Sequence, residues 1–156
     1  MVNSNKISIF LDSSDEKKIL KYSKLRFIKG FTTNPSLMRK SGVKNYKTFA
    51  KNISKKIKKK PISFEVFGDD FKKMYEQALK INSLNKNIFV KIPIVNSKGK
   101  KTTSVIKKLS YLGVKLNITA VFTINQVRDV LNNISKKSET IISIFAGRIA
   151  DTGRDP

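Results

Sequence analysis

The strongest constraint on the fold is an alternation. Short runs of β-branched and aromatic residues, each stopped by a polar residue, a glycine or a proline, take turns with longer segments whose apolar residues recur at helical spacing. The short runs are Lys6-Ile7-Ser8-Ile9-Phe10-Leu11, Arg26 to Phe31, Ile62 to Phe67, Asn87 to Ile94, Lys115 to Phe122 and Thr140 to Ala146. Their centres recur roughly every 20–35 residues, the spacing that parallel βαβ units require. Six strands are expected, each followed by a helix, except that 147–156 reads as a polar, glycine-containing segment without one. No G-x-G-x-x-G follows any strand, so a dinucleotide-binding sheet is not expected. The expectation is an α/β chain of the (β/α)8 TIM-barrel type, forming one domain over 1–156.

The helices have legible boundaries. Ser13 and Glu16 fit a capping box, with Ile19, Leu20 and Leu25 as the buried side of the helix they open. The polar loop Gly30 to Pro35 leads into a short helix over 36–41, ended by Gly42. Asn45 opens a helix with Tyr46, Phe49, Ala50, Ile53 and Ile57 at helical spacing, broken by Pro61. Asp69 or Asp70 caps the next, with Phe71, Met74, Tyr75, Ala78 and Leu79 in its apolar stripe. Val105, Ile106, Leu109 and Leu112 share one side of a fifth helix that stops at Gly113. Thr123 and Gln126 make a capping box before Val127, Val130, Leu131 and Ile134.

Composition narrows the chemistry. The chain has no cysteine and no histidine. Disulfides, thiol nucleophiles, histidine acid–base catalysis and the usual zinc ligand sets are thereby excluded. No cofactor and no metal are expected. Any catalysis must use Lys, Asp, Glu, Tyr, Ser or Thr. The residues before Asp12 are too few for a signal peptide, and no apolar run reaches membrane-spanning length, so a cytoplasmic protein with no membrane partner is expected. The net charge of +22 comes almost wholly from lysine, and Arg26, Arg39, Arg128, Arg148 and Arg154 form no cluster. Base and bidentate phosphate readers favour arginine, so nucleic acid is not the expected partner. The lysines fall on solvated helix faces, most densely over Lys55 to Lys60.

One lysine breaks that pattern. Lys91 sits inside Ile88-Phe89-Val90-Lys91-Ile92-Pro93, a run apolar on both faces. Desolvation penalises an ammonium, and a neutral amine in a dry pocket attacks carbonyls to form a Schiff base. The bland alternative is a side chain that snorkels to water at the strand end. Asp12, Thr33, Asn34, Glu65, Lys91, Asn117, Thr119 and Ser143 all fall on strands or just past their carboxyl ends, the face where barrel enzymes place their active sites. Each alone could be a turn, cap or strand residue. Together, from different strands, they favour a functional lysine.

The segments Phe10 to Ser14, Gly30-Phe31-Thr32-Thr33-Asn34-Pro35-Ser36-Leu37, Val90 to Pro93, Asn117 to Phe122 and Ser143 to Asp151 resemble the transaldolase family, close to its short members and to the fructose-6-phosphate aldolases. The resemblance implies transfer of a dihydroxyacetone unit between a ketose phosphate and an aldose phosphate, in the pentose phosphate pathway. It implies Lys91 as the Schiff-base nucleophile and Asp12 as the base at the C4 hydroxyl. Glu65 and Thr119 would hold a proton-shuttling water. Asn34, Asn117 and Ser143 would hold the dihydroxyacetone hydroxyls, Thr33 would shape the loop beside them, and Arg148 would pair with the phosphate. Glu65 and Phe145 stand where the aldolases have glutamine and tyrosine, which leans towards transaldolase. The resemblance also implies eight strands, so two further βα units, on the order of 60 residues, are expected beyond those present. The chain therefore reads as a C-terminally incomplete barrel, homo-oligomeric if completed. The alternatives are an aldolase-type lyase, a deoxyribose phosphate aldolase disfavoured by the Thr-Thr-Asn-Pro loop, an inactive fragment, and a basic binding protein.

Overall fold

The computed structural model describes residues 7–156. Lys6, at the start of the first expected strand, lies outside them. Along the chain the elements are β1 (Ile9–Asp12), α1 (Glu16–Ser23), β2 (Ile28–Thr32), α2 (Pro35–Lys40), α3 (Tyr46–Lys56), β3 (Ile62–Glu65), α4 (Phe71–Asn82), β4 (Ile88–Pro93), α5 (Thr103–Tyr111), β5 (Leu116–Val121), α6 (Ile124–Leu131), β6 (Thr140–Ile144) and α7 (Ala146–Ala150). The six strands form one parallel sheet in the order β1-β2-β3-β4-β5-β6.

Order decides the architecture. Parallel crossovers are right-handed, so a sheet that always advances in one direction keeps every helix on the same side. A dinucleotide-binding sheet reverses its order and carries helices on both faces. Here the sheet curls, helices outside, into part of a (β/α)8-type barrel. Ile62, Phe64, Ile88, Val90, Ile92, Leu116 and Ile118 face the helices and are all but fully buried. Met74, Ala78 and Ile81 of α4 and Ile106 and Leu109 of α5 cover them from the helix side. Strand side chains alternate, so the residues between these point into the concave face. That face carries Ser63, Glu65, Lys91, Asn117 and Thr119.

Several boundaries differ from the sequence expectation, for local reasons. Asp15, not Ser13, caps α1 by accepting from the Lys18 N–H at 3.0 Å. The Ser13 N–H still donates to the Thr32 carbonyl, so residue 13 prolongs the strand ladder and comes too early to cap. Gly30 to Thr32 belong to β2, and α2 starts at Pro35. Leu25 and Leu112 fall outside their helices and are 37% and 61% exposed. Leu131, at the end of α6, is 56% exposed. β6 ends at Ile144, and Ala146–Ala150 coils into α7, so the sixth strand has the helix that the glycine-containing sequence did not announce.

Gly30 is needed for packing rather than for backbone freedom. A Cβ there would lie 2.3 Å from Cε1 of Phe10 and 2.9 Å from Cγ of Pro61. The missing side chain lets the Phe10 ring lie across β2 inside the curl.

Candidate active site

The site is built from one row of the sheet. Glu65, Lys91 and Asn117 are Cα partners across β3, β4 and β5, so their side chains leave the sheet side by side. Lys91 is 8% exposed. Its Nζ lies 3.4 Å from Oε2 of Glu65 and donates to the Thr33 carbonyl, also at 3.4 Å. The ammonium neither snorkels out nor sits unpaired. Burial pushes the Glu65 carboxyl above the usual glutamate range; Lys91 opposes this through charge and hydrogen bonding, and Asp12 adds to the rise.

Thr33 is fully buried, and its hydroxyl and N–H both go to the Ser63 carbonyl, at 2.8 and 3.1 Å. The β2–α2 loop is thereby locked onto β3, which presents the Thr33 carbonyl to Lys91. Asp12 ends β1 exposed, with its Oδ1 accepting from the Thr32 hydroxyl at 2.9 Å. Asn34 caps α2: its Oδ1 accepts from the Leu37 N–H at 2.9 Å. The cap uses the carbonyl oxygen of the amide and leaves the Nδ2 donors for other partners.

Asn117 is fully buried, and its orientation is set by its neighbours. Nδ2 donates to Oγ of Ser63 at 3.0 Å, and Oδ1 accepts from Oγ of Ser143 at 2.7 Å. One amide N–H remains. Thr119 lies two residues further along β5. Its hydroxyl is buried and has no partner among the described residues, as expected of a group that holds a water or a ligand. Ala120 follows it with φ +56°, where the β5–β6 register shifts. An L-residue is uncommon in that region, and such irregularities re-aim side chains at strand ends.

The last two expected residues stand apart. Phe145 follows β6; its N–H donates to the Val121 carbonyl, and its ring meets Phe122 edge-on at 5.6 Å. Arg148, on α7, is exposed and pairs with Asp151 at 3.3 Å. Both sit at the carboxyl end of the sheet, but among the described residues no hydrogen bond or ion pair joins them to Glu65 or Lys91. Sequence reasoning missed Ser63, Tyr46 and Gln77. Ser63 carried a signal, being a serine in an apolar strand two residues before Glu65 and so on the same face. Tyr46 reads as one of the apolar-spaced residues of α3 and Gln77 carries no sequence signal; only packing gives their partners, the Glu65 carbonyl and the Phe67 and Gly68 N–H groups. Among the described residues no group of three or more His, Cys, Asp or Glu side chains gathers, and no helix is long and apolar enough to cross a membrane.

A buried lysine paired with a carboxylate thus lies on the concave face of a parallel sheet. Residues 9–156 match the family described as Transaldolase/Fructose-6-phosphate aldolase. A probable transaldolase of Dehalococcoides mccartyi is 35% identical over 147 residues, covering 94% of this chain and 64% of that protein. Probable transaldolases of Methanococcus vannielii and Carboxydothermus hydrogenoformans are 33% and 36% identical over 149 residues, each covering 96% of this chain and 65% of the relative. The chain thus spans about 65% of the length of these curated relatives. The match runs along nearly the whole sequence, and the chain belongs to the transaldolase/fructose-6-phosphate aldolase family.

Proposed function

We propose that this chain carries the Schiff-base chemistry of a transaldolase, moving a dihydroxyacetone unit from a ketose phosphate to an aldose phosphate. The observation that carries the reading is the Lys91 ammonium, buried and held between the Glu65 carboxylate and the Thr33 carbonyl. Glu65 takes a proton from Lys91, and the free amine adds to the C2 ketone. The carbinolamine loses water to give an iminium. A water between Glu65 and the unpartnered Thr119 hydroxyl carries protons in and out. Asp12 removes the C4 hydroxyl proton as the C3–C4 bond breaks, and its electron pair runs into the iminium to leave an enamine. The enamine then adds to the acceptor aldehyde, and hydrolysis frees Lys91.

The one uncommitted N–H of Asn117, the Nδ2 of Asn34 and the Ser143 hydroxyl hold the dihydroxyacetone oxygens. Thr33 keeps its loop in place for them. Arg148 exchanges its exposed partner Asp151 for the substrate phosphate, which a guanidinium fork suits. Phe145 offers no hydroxyl to protonate the enamine, which disfavours release of free dihydroxyacetone. A place in the pentose phosphate pathway, in the cytoplasm and as a homo-oligomer, belongs to the same proposal.

Borohydride reduction in the presence of fructose 6-phosphate tests it. A three-carbon adduct on Lys91, lost in Lys91→Ala, is the expected result. A folded sample that shows no adduct sinks the reading and leaves an inactive or merely basic binding chain. The lyase alternative predicts fast release of dihydroxyacetone without an acceptor, whereas the transferase predicts turnover only with erythrose 4-phosphate present.

A further inference from the structure

Among the described residues the Glu65 carboxylate pairs with the Lys91 ammonium alone. The Lys91 nitrogen is neutral in the carbinolamine and keeps only one N–H in the cationic iminium, so its hold on the carboxylate changes along the reaction. A constant direction for the carboxylate then depends on its own backbone. The backbone at this point is held by side chains from the helix layer. The Tyr46 hydroxyl, in the first turn of α3, donates to the Glu65 carbonyl at 2.7 Å. Its ring stands edge-on to Phe64 at 5.8 Å and to Phe67 at 4.6 Å, gripping the strand on both sides of Glu65. From α4, the Gln77 Oε1 accepts from the N–H groups of Phe67 and Gly68, at 2.8 and 2.9 Å. The Val66 N–H makes the last ladder bond, to the Lys91 carbonyl at 3.1 Å.

We infer that Tyr46 is a positioning residue, whose hydroxyl, with Gln77 on the other side, fixes the carboxyl end of β3 and so the direction in which the Glu65 side chain meets the reacting nitrogen. The phenol is a dependable donor. Burial, reinforced by the Glu65 charge, pushes its pKa far above the usual tyrosine range, so it stays protonated. Phenylalanine could make the same ring contacts but could not hold the carbonyl. The groups that face Glu65 are Lys91 from β4, Asp12 from β1 and the Tyr46 phenol from α3. The inference rests on the reading of Glu65 as the proton carrier beside Lys91.

Tyr46→Phe is the test, read in two ways. The first is titration of the Glu65 carboxyl by carbon-13 NMR without substrate, its resonance assigned with Glu65→Gln. The midpoint is expected to fall by about 0.5 pH unit or more towards the ordinary glutamate value, because a loosened strand end lets water reach the carboxylate. Gln77→Ala, which frees the next two N–H groups, is expected to move it the same way. The second is the rate of borohydride trapping on Lys91, expected to fall several-fold with the sugar-phosphate concentration for half-saturation unchanged. An unchanged or higher midpoint in a variant whose Tm falls makes Tyr46 merely structural and overturns the inference. If the unsubstituted protein forms no imine at all, the proposed function fails, while the titration still decides what Tyr46 does.

Discussion

Thr119 keeps a buried hydroxyl that no group among the described residues satisfies. Leaving such a group bare costs about 1–3 kcal/mol, so the position is either a defect or a place kept for a water or substrate. Thr119→Val separates the two. Stability should hold or rise, because an unmet donor disappears, while imine formation at Lys91 should slow by about 100-fold if the hydroxyl holds the proton-carrying water. Thermal unfolding and borohydride trapping on the same samples measure both; a variant as fast as the parent removes Thr119 from the mechanism. At this scale the sequence was informative about type but not about state. Lys91, Glu65 and Asn117 could be picked out as polar residues inside apolar runs. That Thr33 holds Lys91 through a carbonyl could not be seen, because a backbone acceptor leaves no mark on residue identity.

Between β4 and α5 the chain makes a small strap, closed by the antiparallel bridge of Val95 with Lys101. It is pinned to the loop that follows β3 by Asp69, whose Oδ1 accepts from the Ser97 N–H at 2.7 Å and whose Oδ2 accepts from the Ser97 hydroxyl at 2.8 Å. The Ser97 N–H and then its hydroxyl hold the Asp69 carboxyl below the usual aspartate range, outweighing desolvation, with a small contribution from Lys98. A depressed folded-state value means the folded state holds its proton less tightly than the unfolded one. The clasp therefore contributes fully above the ordinary aspartate pKa and is lost as pH falls through the lowered one. The Ser97 amide proton shift, followed by NMR down that window, should move as the clasp opens. Asp69→Asn should abolish the transition; a strap indifferent to pH in the unsubstituted chain would contradict it. Element boundaries were read well at three helix starts, Asp70 being one of the two caps offered for α4. Asn45 caps α3, Asp70 caps α4, and the Thr123–Gln126 box is formed on α6. They were misread where tertiary pairing competes, as at Ser13, whose backbone stays in the ladder with β2.

A net charge of +22 on 156 residues is a repulsion shared by the whole molecule. The ion pairs Lys56–Glu16, Lys101–Asp129, Lys115–Glu139 and Arg148–Asp151 are largely exposed and offset little of it. Added salt should therefore stabilise the fold. Raising sodium chloride from about 10 mM to about 200 mM shortens the screening length from about 30 Å to below 10 Å, and the Tm should rise by a few degrees. A fall would mean that attractive pairs outweigh the repulsion. The same scale separates what is written in the sequence from what is not. The order of six strands and of the helices before the sixth, the inward polar residues and the family were all determined by the sequence, because side-chain period and turn chemistry are local. Only the tertiary structure decided how those residues act on one another. Sheet register set Glu65, Lys91 and Asn117 in one row, Ser63 and Ser143 oriented the Asn117 amide between them, and two outer-layer side chains, Tyr46 and Gln77, took hold of the strand that carries Glu65. These contacts join residues far apart along the chain, through backbone groups common to every residue, and only packing brings them together.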